Sequence, residues 1–155
     1  MKKALALLLV LLTASFVFAG GASESTTTAA TETQAAAVPE EFHIGIVTGT
    51  VSQSEDDLRG AEALIAEYGS VADGGMIQHL TYPDNFMEEQ ETTISVIAGL
   101  ADDPLMKAVI VNQAVPGTTE AFRRSKEVRP DILCIAGEAH EDPGVIASAA
   151  DLVCN

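Results

Sequence analysis

From Phe42 onward the apolar and polar positions alternate between two rhythms. His43-Ile44-Gly45-Ile46-Val47-Thr48 is a short apolar run bounded by turn residues, the pattern of a buried strand. Ser54 then opens a helix: it is an N-cap followed by Glu55, Asp56 and Asp57, where the helix dipole favours negative charge. Leu58, Ala61, Leu64, Ile65 and Tyr68 recur at helical spacing, and Gly69 is a C-terminal stop. The unit then repeats. Met76 to Tyr82 reads as a second strand, and Pro83-Asp84-Asn85 as a turn whose Asp84 or Asn85 can cap the next helix. Met87, Ile94, Ile97, Ala98 and Ala101 give that helix its buried face.

Lys107 to Asn112 contains Ala108-Val109-Ile110-Val111, the most strand-like run in the chain. Pro116-Gly117-Thr118 opens a third helix that carries Ala121, Phe122 and Val128 inward and ends before Pro130. Ile132 to Ala136 is a fourth strand, and Asp142-Pro143 suits the cap and first position of a short fourth helix. Asp151-Leu152-Val153-Cys154 starts a fifth strand. Strands alternating with helices predict an α/β fold: a three-layer parallel sheet of about five strands with helices on both faces. Ligands of such sheets bind beyond the carboxyl ends of the strands, where the strand order reverses.

The first 40 residues follow other patterns. Lys2 and Lys3 precede an almost wholly apolar stretch from Ala4 to Val17, and Val17-Phe18-Ala19 fits a cleavage site. Residues 1–19 therefore read as a secretory signal peptide, with an apolar core too short for a membrane span. No cysteine follows that core, so no lipid anchor is expected. Residues 20–40 are mostly Ala, Thr, Ser, Glu and Gly, with Val38 the one β-branched aliphatic side chain, a composition that cannot offset its ordering entropy and reads as a disordered tether. Residues 41–155 remain for one α/β lobe.

The net charge of the whole chain is −15, from 8 basic and 23 acidic residues. Removing residues 1–19 takes away two lysines and moves it to −17. A polyanion repels phosphate backbones, so nucleic acid and anionic membrane surfaces are not expected as partners. Cys134 and Cys154 fall in two strand-like runs. Neighbouring parallel strands seldom bring two Cβ vectors together, so two buried thiols are expected rather than a disulfide.

Four loops lie at the predicted carboxyl rim. The first, Thr48 to Ser54, offers the hydroxyls of Thr48, Thr50 and Ser52 at the start of a helix. The second, Tyr82 to Phe86, sets two aromatic rings beside Asp84; such rings can stack on a flat ligand or a sugar, or simply pack the sheet edge. The third brings the amides of Asn112 and Gln113 to a strand end, and amides both donate and accept, which suits a neutral polar ligand. The fourth, Gly137 to Asp142, holds Glu138, His140 and Glu141; a solvated acidic loop explains it better than a metal site, since no second histidine lies at ligand spacing. The phosphate-binding loop, the dinucleotide fingerprint, the nucleophile elbow and the C-x-x-C pair are all missing from the sequence. No cofactor and no catalytic set is expected.

The order of these segments resembles the first lobe of type I periplasmic binding proteins. More closely, Phe42 to Thr50, Thr81-Tyr82-Pro83-Asp84-Asn85-Phe86, Asn112-Gln113-Ala114-Val115-Pro116-Gly117 and Ala136 to Pro143 are similar to a family of secreted bacterial proteins of unknown function. The resemblance implies a bilobed binding protein of which this chain supplies the N-terminal lobe, the second lobe being absent. The function expected is extracytoplasmic binding of a small solute for uptake or sensing, with a membrane permease or sensor as partner. An exported metal-assisted hydrolase using Glu138, His140 and Glu141 is the alternative. A regulator is disfavoured by the negative charge and by the N-terminal segment.

Overall fold

Five parallel strands carry the fold. The computed structural model describes residues 41–154; the signal-peptide and tether readings of residues 1–19 and 20–40 lie outside the described residues. The strands are β1 (His43–Thr48), β2 (Ile77–Thr81), β3 (Met106–Val111), β4 (Leu133–Gly137) and β5 (Leu152–Cys154). They lie in the order β2-β1-β3-β4-β5, all parallel. The helices are α1 (Val51–Tyr68), α2 (Gln90–Ala98), α3 (Thr118–Val128) and α4 (Pro143–Ile146). The three-layer α/β expectation is met, and each strand lies within a residue or two of its predicted place.

The two faces of the sheet are covered unequally. On one, Val47, Val109, Val111, Cys134 and Ala136 pack under Ile94 and Ile97 of α2, Ala121 and Phe122 of α3, and Ile146 of α4. On the other, Ile46 and Ile77 pack against Ala61 of α1, with Ile44 and Ile65 beside them. Because α1 lies over β1 and β2, its outer residues have nothing to bury against among the described residues. Leu64 and Tyr68 are accordingly exposed (38% and 47%), a departure from the inward face their spacing predicts.

Other departures have local causes. The first helical turn starts at Val51, because the Thr50 carbonyl accepts N–H bonds from Gln53 (3.0 Å) and Ser54 (2.9 Å). Ser54 then interrupts the helix with extended backbone (φ −156°, ψ 88°), and its hydroxyl donates to Asp57 (2.6 Å) instead of capping a free N–H. Helix α2 begins only at Gln90, since the Asn85 carbonyl closes a turn onto Glu88 and Glu89 and leaves Met87 exposed. Val128 also points outward; the next residue, Arg129, turns back to donate to the carbonyls of Asp103 (3.0 Å) and Met106 (3.1 Å). Cys134 is buried and Cys154 exposed, both as free thiols, so the second of the two expected buried thiols lies at the surface of an edge strand. Burial pushes the Cys134 thiol up to about 11, which keeps it protonated and unreactive.

Candidate functional site

The strand order fixes where a cleft can form. Strands β1 and β3 are neighbours at the centre of the sheet, and the connections leaving them go to opposite faces: α1 to one, α3 to the other. In doubly wound sheets the crevice opens at that switch point, beyond the carboxyl ends of the two strands. The loops meeting there are the ones the sequence singles out, Thr48 to Ser54 and Asn112 to Gly117. Main-chain bonds fasten the next loop to them. Ala114 N–H donates to the Gly137 carbonyl (2.9 Å), and His140 N–H donates to the Ala114 carbonyl (3.0 Å).

Beneath the rim lies a layer of satisfied polar groups. The Thr48 side chain is buried, and its hydroxyl donates to the Gly49 carbonyl (2.8 Å). That hydroxyl has only one proton, so His79 Nε2, 2.9 Å away, is the donor to Thr48. Burial lowers the His79 pKa, so the ring is held neutral. The pair superficially resembles a nucleophile beside a base. Its hydrogen bond runs the wrong way for activation, and Thr48 is inaccessible.

Tyr82 is 1% exposed. Its ring meets Phe86 edge-on, with centroids 5.6 Å apart and planes at 77°. The pair packs the sheet edge, and the Tyr82 ring cannot stack on a ligand. What Tyr82 contributes is its hydroxyl, which donates to Gln113 Oε1 (3.1 Å). Burial and the charge of Asp57 push its pKa up to about 12, so it remains a donor at every physiological pH. Gly49 makes room for it: a Cβ at that position would sit 3.1 Å from the Tyr82 oxygen and 2.8 Å from Gln53 Cβ. With its oxygen engaged, the half-buried Gln113 keeps an amide nitrogen that has no partner among the described residues. The half-buried Asn112 side chain at the end of β3 is likewise without a partner among them. Tyr82→Phe should therefore release Gln113 and lower stability by about 1 kcal/mol. Urea unfolding of the two proteins measures this; an unchanged midpoint would mean the bond does not orient the amide.

The remaining predicted residues sit on the outer rim. Thr50 donates to Asp84 and lies 2.8 Å from Ser52 Oγ. Gln53 Nε2 donates to the Asp84 carbonyl (2.9 Å), so the first and second loops are tied together. Hydrogen bonds from Thr50 and then Ser52 hold the Asp84 carboxyl below its usual range. Glu138 and His140 are exposed. Glu138 is the one non-glycine among the described residues with positive φ (37°), held there as its N–H donates to the Cys154 carbonyl (2.9 Å).

Three roles escape sequence reasoning. His79 supports Thr48 through strand register, which pairs Ile46 with His79. Gln53 latches the first loop to the second. Glu141 places one oxygen 2.7 Å from Gly117 N and the other 3.0 Å from Thr119 N, and also accepts from the Thr119 hydroxyl. The start of α3, a natural anion site, is thus filled by the chain's own carboxylate. No sequence signal announces that contact across 24 positions. Among the described residues no group of three or more His, Cys, Asp and Glu side chains is placed to hold a metal ion. A cavity of about 330 Å³ between α1 and β3 reaches the rim at Thr48 and Asn112. A larger one of about 420 Å³ lies at the β2 edge, lined by Ile65, Ala72 and Leu80 among others, away from all four loops.

Comparison with known proteins adds the following. The family described as Protein of unknown function (DUF3798) matches residues 42–155. An uncharacterized protein of Treponema pallidum (strain Nichols) is 43% identical over 116 residues, which are 74% of this chain and 52% of that protein. A second uncharacterized protein of the same strain is 46% identical over 54 residues, 35% of this chain and 25% of its own length. Among solved structures, a candidate transcriptional regulator from Clostridium difficile 630 matches with a TM-score of 0.63 at 26% identity, over 72% of this chain and 33% of its own. The chain thus spans about half the length, or less, of the proteins it matches.

Proposed function

The chain belongs to the family described as Protein of unknown function (DUF3798), and from that premise we propose that it binds a neutral polar small molecule outside the cytoplasm. It does so as one lobe of a cleft like that of type I periplasmic binding proteins, in the service of uptake or sensing. The observation that carries this reading is the pair of amides at the switch point. Asn112 and Gln113 stand at the end of the central strand with free hydrogen-bonding capacity, and a buried phenol orients one of them. Amides with free donor or acceptor capacity, one of them pre-oriented, suit ligand hydroxyls and carbonyls. The helix start that would hold an anion is taken by Glu141. Export is supported by Lys2, Lys3 and the apolar stretch from Ala4 to Val17.

Catalysis has less support. The one hydroxyl–imidazole contact among the described residues, between Thr48 and His79, is largely buried, and its proton runs from the ring to the hydroxyl. Glu141, a member of the metal-assisted alternative, already has both oxygens engaged. The matched structure is described as a candidate transcriptional regulator; a net charge of −15 opposes direct contact of this chain with nucleic acid. The test is thermal unfolding of the chain with monosaccharides, nucleosides and amino acids at millimolar concentration. One class should raise the melting temperature in a saturable way, by the equivalent of about 2.7 kcal/mol at 100 times its Kd. Asn112→Ala and Gln113→Ala should abolish the rise. If no compound shifts the melt, or if both variants respond like the parent, the proposal fails.

A further inference from the structure

The start of α3 cannot cap itself. Its N-cap residue is Gly117, which has no side chain and adopts φ 103°. A Cβ at that position would approach Ile94 Cγ1 to 3.1 Å, so a capping side chain does not fit there without strain. Thr118, next along, turns its hydroxyl back to the Val115 carbonyl (2.7 Å). Glu120, the acid of the first turn, is drawn away to Arg123 and Arg124 (2.8 Å to the latter). Three donors are left at the helix start: Gly117 N–H, Thr119 N–H and the Thr119 hydroxyl. All three converge on one carboxylate from a remote loop, that of Glu141, with Oε1 2.7 Å from Gly117 N and Oε2 3.0 Å from Thr119 N. Three donors gathered around one carboxylate form a seat for an anion, which is more than the cap of a single N–H requires.

The occupant is held in place from both sides. Before it, His140 N–H donates to the Ala114 carbonyl (3.0 Å); after it, the Asp142 side chain accepts from Gly144 N–H (2.9 Å) and Val145 N–H (3.2 Å). Glu141 pairs with no cation among the described residues, so those three donors alone balance its charge. The seat lies at the carboxyl rim, because α3 follows β3 through the loop that carries Asn112 and Gln113. A resident negative charge there fills the place where a ligand carboxylate or phosphate would bind, and repels one that comes near.

We propose that Glu141 is the specificity-determining residue of the rim: a built-in anion that restricts the cleft to ligands without a carboxylate or phosphate group. The inference rests on the reading of the rim as the ligand site, and it narrows that reading. Of the solutes that present hydroxyls and carbonyls to Asn112 and Gln113, monosaccharides and nucleosides are admitted, whereas amino acids and nucleotides are refused.

Thermal unfolding of the full chain in sodium acetate and in sodium chloride of equal ionic strength tests this. The parent should melt at the same temperature in both salts. Glu141→Ala should melt on the order of 5–10 °C lower in chloride. Acetate should recover most of that loss in a saturable way, because the small carboxylate enters the vacated seat. The net charge of −15 opposes general acetate binding, so a recovery specific to acetate reports the seat. Glu141→Gln removes the charge but keeps the seat filled, and should melt alike in the two salts. Should Glu141→Ala fail to fold in chloride, the same series reads as folding restored by acetate alone. An alanine variant that responds equally to both salts would make Glu141 an ordinary helix cap and overturn the proposal. Equal recovery of the glutamine variant would overturn it too, as would a parent stabilised by acetate or by an amino acid. No arm contains a sugar or a nucleoside, so failure here leaves ligand binding at Asn112 and Gln113 to its own melt, and a silent ligand screen leaves the acetate result standing.

Discussion

Phe122→Ala is expected to remove about 3–5 kcal/mol of stability, enough to leave up to about half of the molecules unfolded if the total lies at the low end of the usual 5–15 kcal/mol. The side chain is fully buried in α3, within the main apolar cluster that joins α2, α3 and the better-covered face of the sheet. That cluster is the larger of two, and the other holds only Ile46, Ala61 and Ile77 as fully buried members. No second core of comparable size can compensate. Truncation removes the ring's transfer free energy and leaves a cavity that close-packed neighbours fill only in part. Val128→Ala on the same helix is the control: with its side chain 66% exposed, it should change stability by less than about 0.5 kcal/mol. Urea titrations followed by circular dichroism measure both. A Phe122→Ala midpoint within error of that of Val128→Ala would show that α3 does not pack as described.

The contrast between Phe122 and Val128 also shows what the sequence could and could not reveal. Helical periodicity places both on the inward face, and it does so correctly for Ala121 and Phe122, which lie over the sheet. It fails at Val128, the last residue of the helix, which is exposed while Arg129 next to it binds the carbonyls of Asp103 and Met106. The same cause operates in α1. Leu64 and Tyr68 carry the spacing of a buried stripe, but among the described residues no second helix packs beside α1 to complete the layer. Periodicity reports which side chains seek cover; it does not report how much cover the fold supplies.

The rim was legible in a similar, partial way. Strand alternation together with the rule for doubly wound sheets located the loops beginning at Thr48 and Asn112, and the strand order puts them side by side. Roles within the loops were less legible, because they depend on pairings remote in sequence. Tyr82 read as a ring that either stacks on a ligand or packs the sheet edge; it packs the edge, and its buried hydroxyl also donates to Gln113, 31 positions away. Glu141 read as one of several solvated acids and is a clamp on the start of α3. Composition identified which groups the rim owns; only three-dimensional register says which of them are already spent.

Gly137→Ala should cost about 1–3 kcal/mol and disturb the rim more than its single methyl group suggests. A Cβ at this position would lie 2.4 Å from the carbonyl oxygen of Asn112 and 3.2 Å from its carbon. Both contacts are with backbone, so no flexible side chain can move aside. Strands β3 and β4 would have to part at their carboxyl ends, where the Gly137 carbonyl holds Ala114 N–H and the Ala114 carbonyl holds His140 N–H. Parting them loosens the strap that fixes Asn112 and Gln113, so the substitution acts on the amides without touching them. The expected signature is a lower urea midpoint with an unchanged slope, accompanied by faster amide hydrogen exchange at Ala114 and His140 than in the parent. Gly99→Ala supplies the comparison, since a Cβ there meets nothing within 4 Å and the residue already has right-handed helical geometry. If Gly137→Ala were as stable as Gly99→Ala, with Ala114 still protected, the close approach of the two strand ends would not be real, and the convergence of the third and fourth loops on one cleft would lose its structural basis.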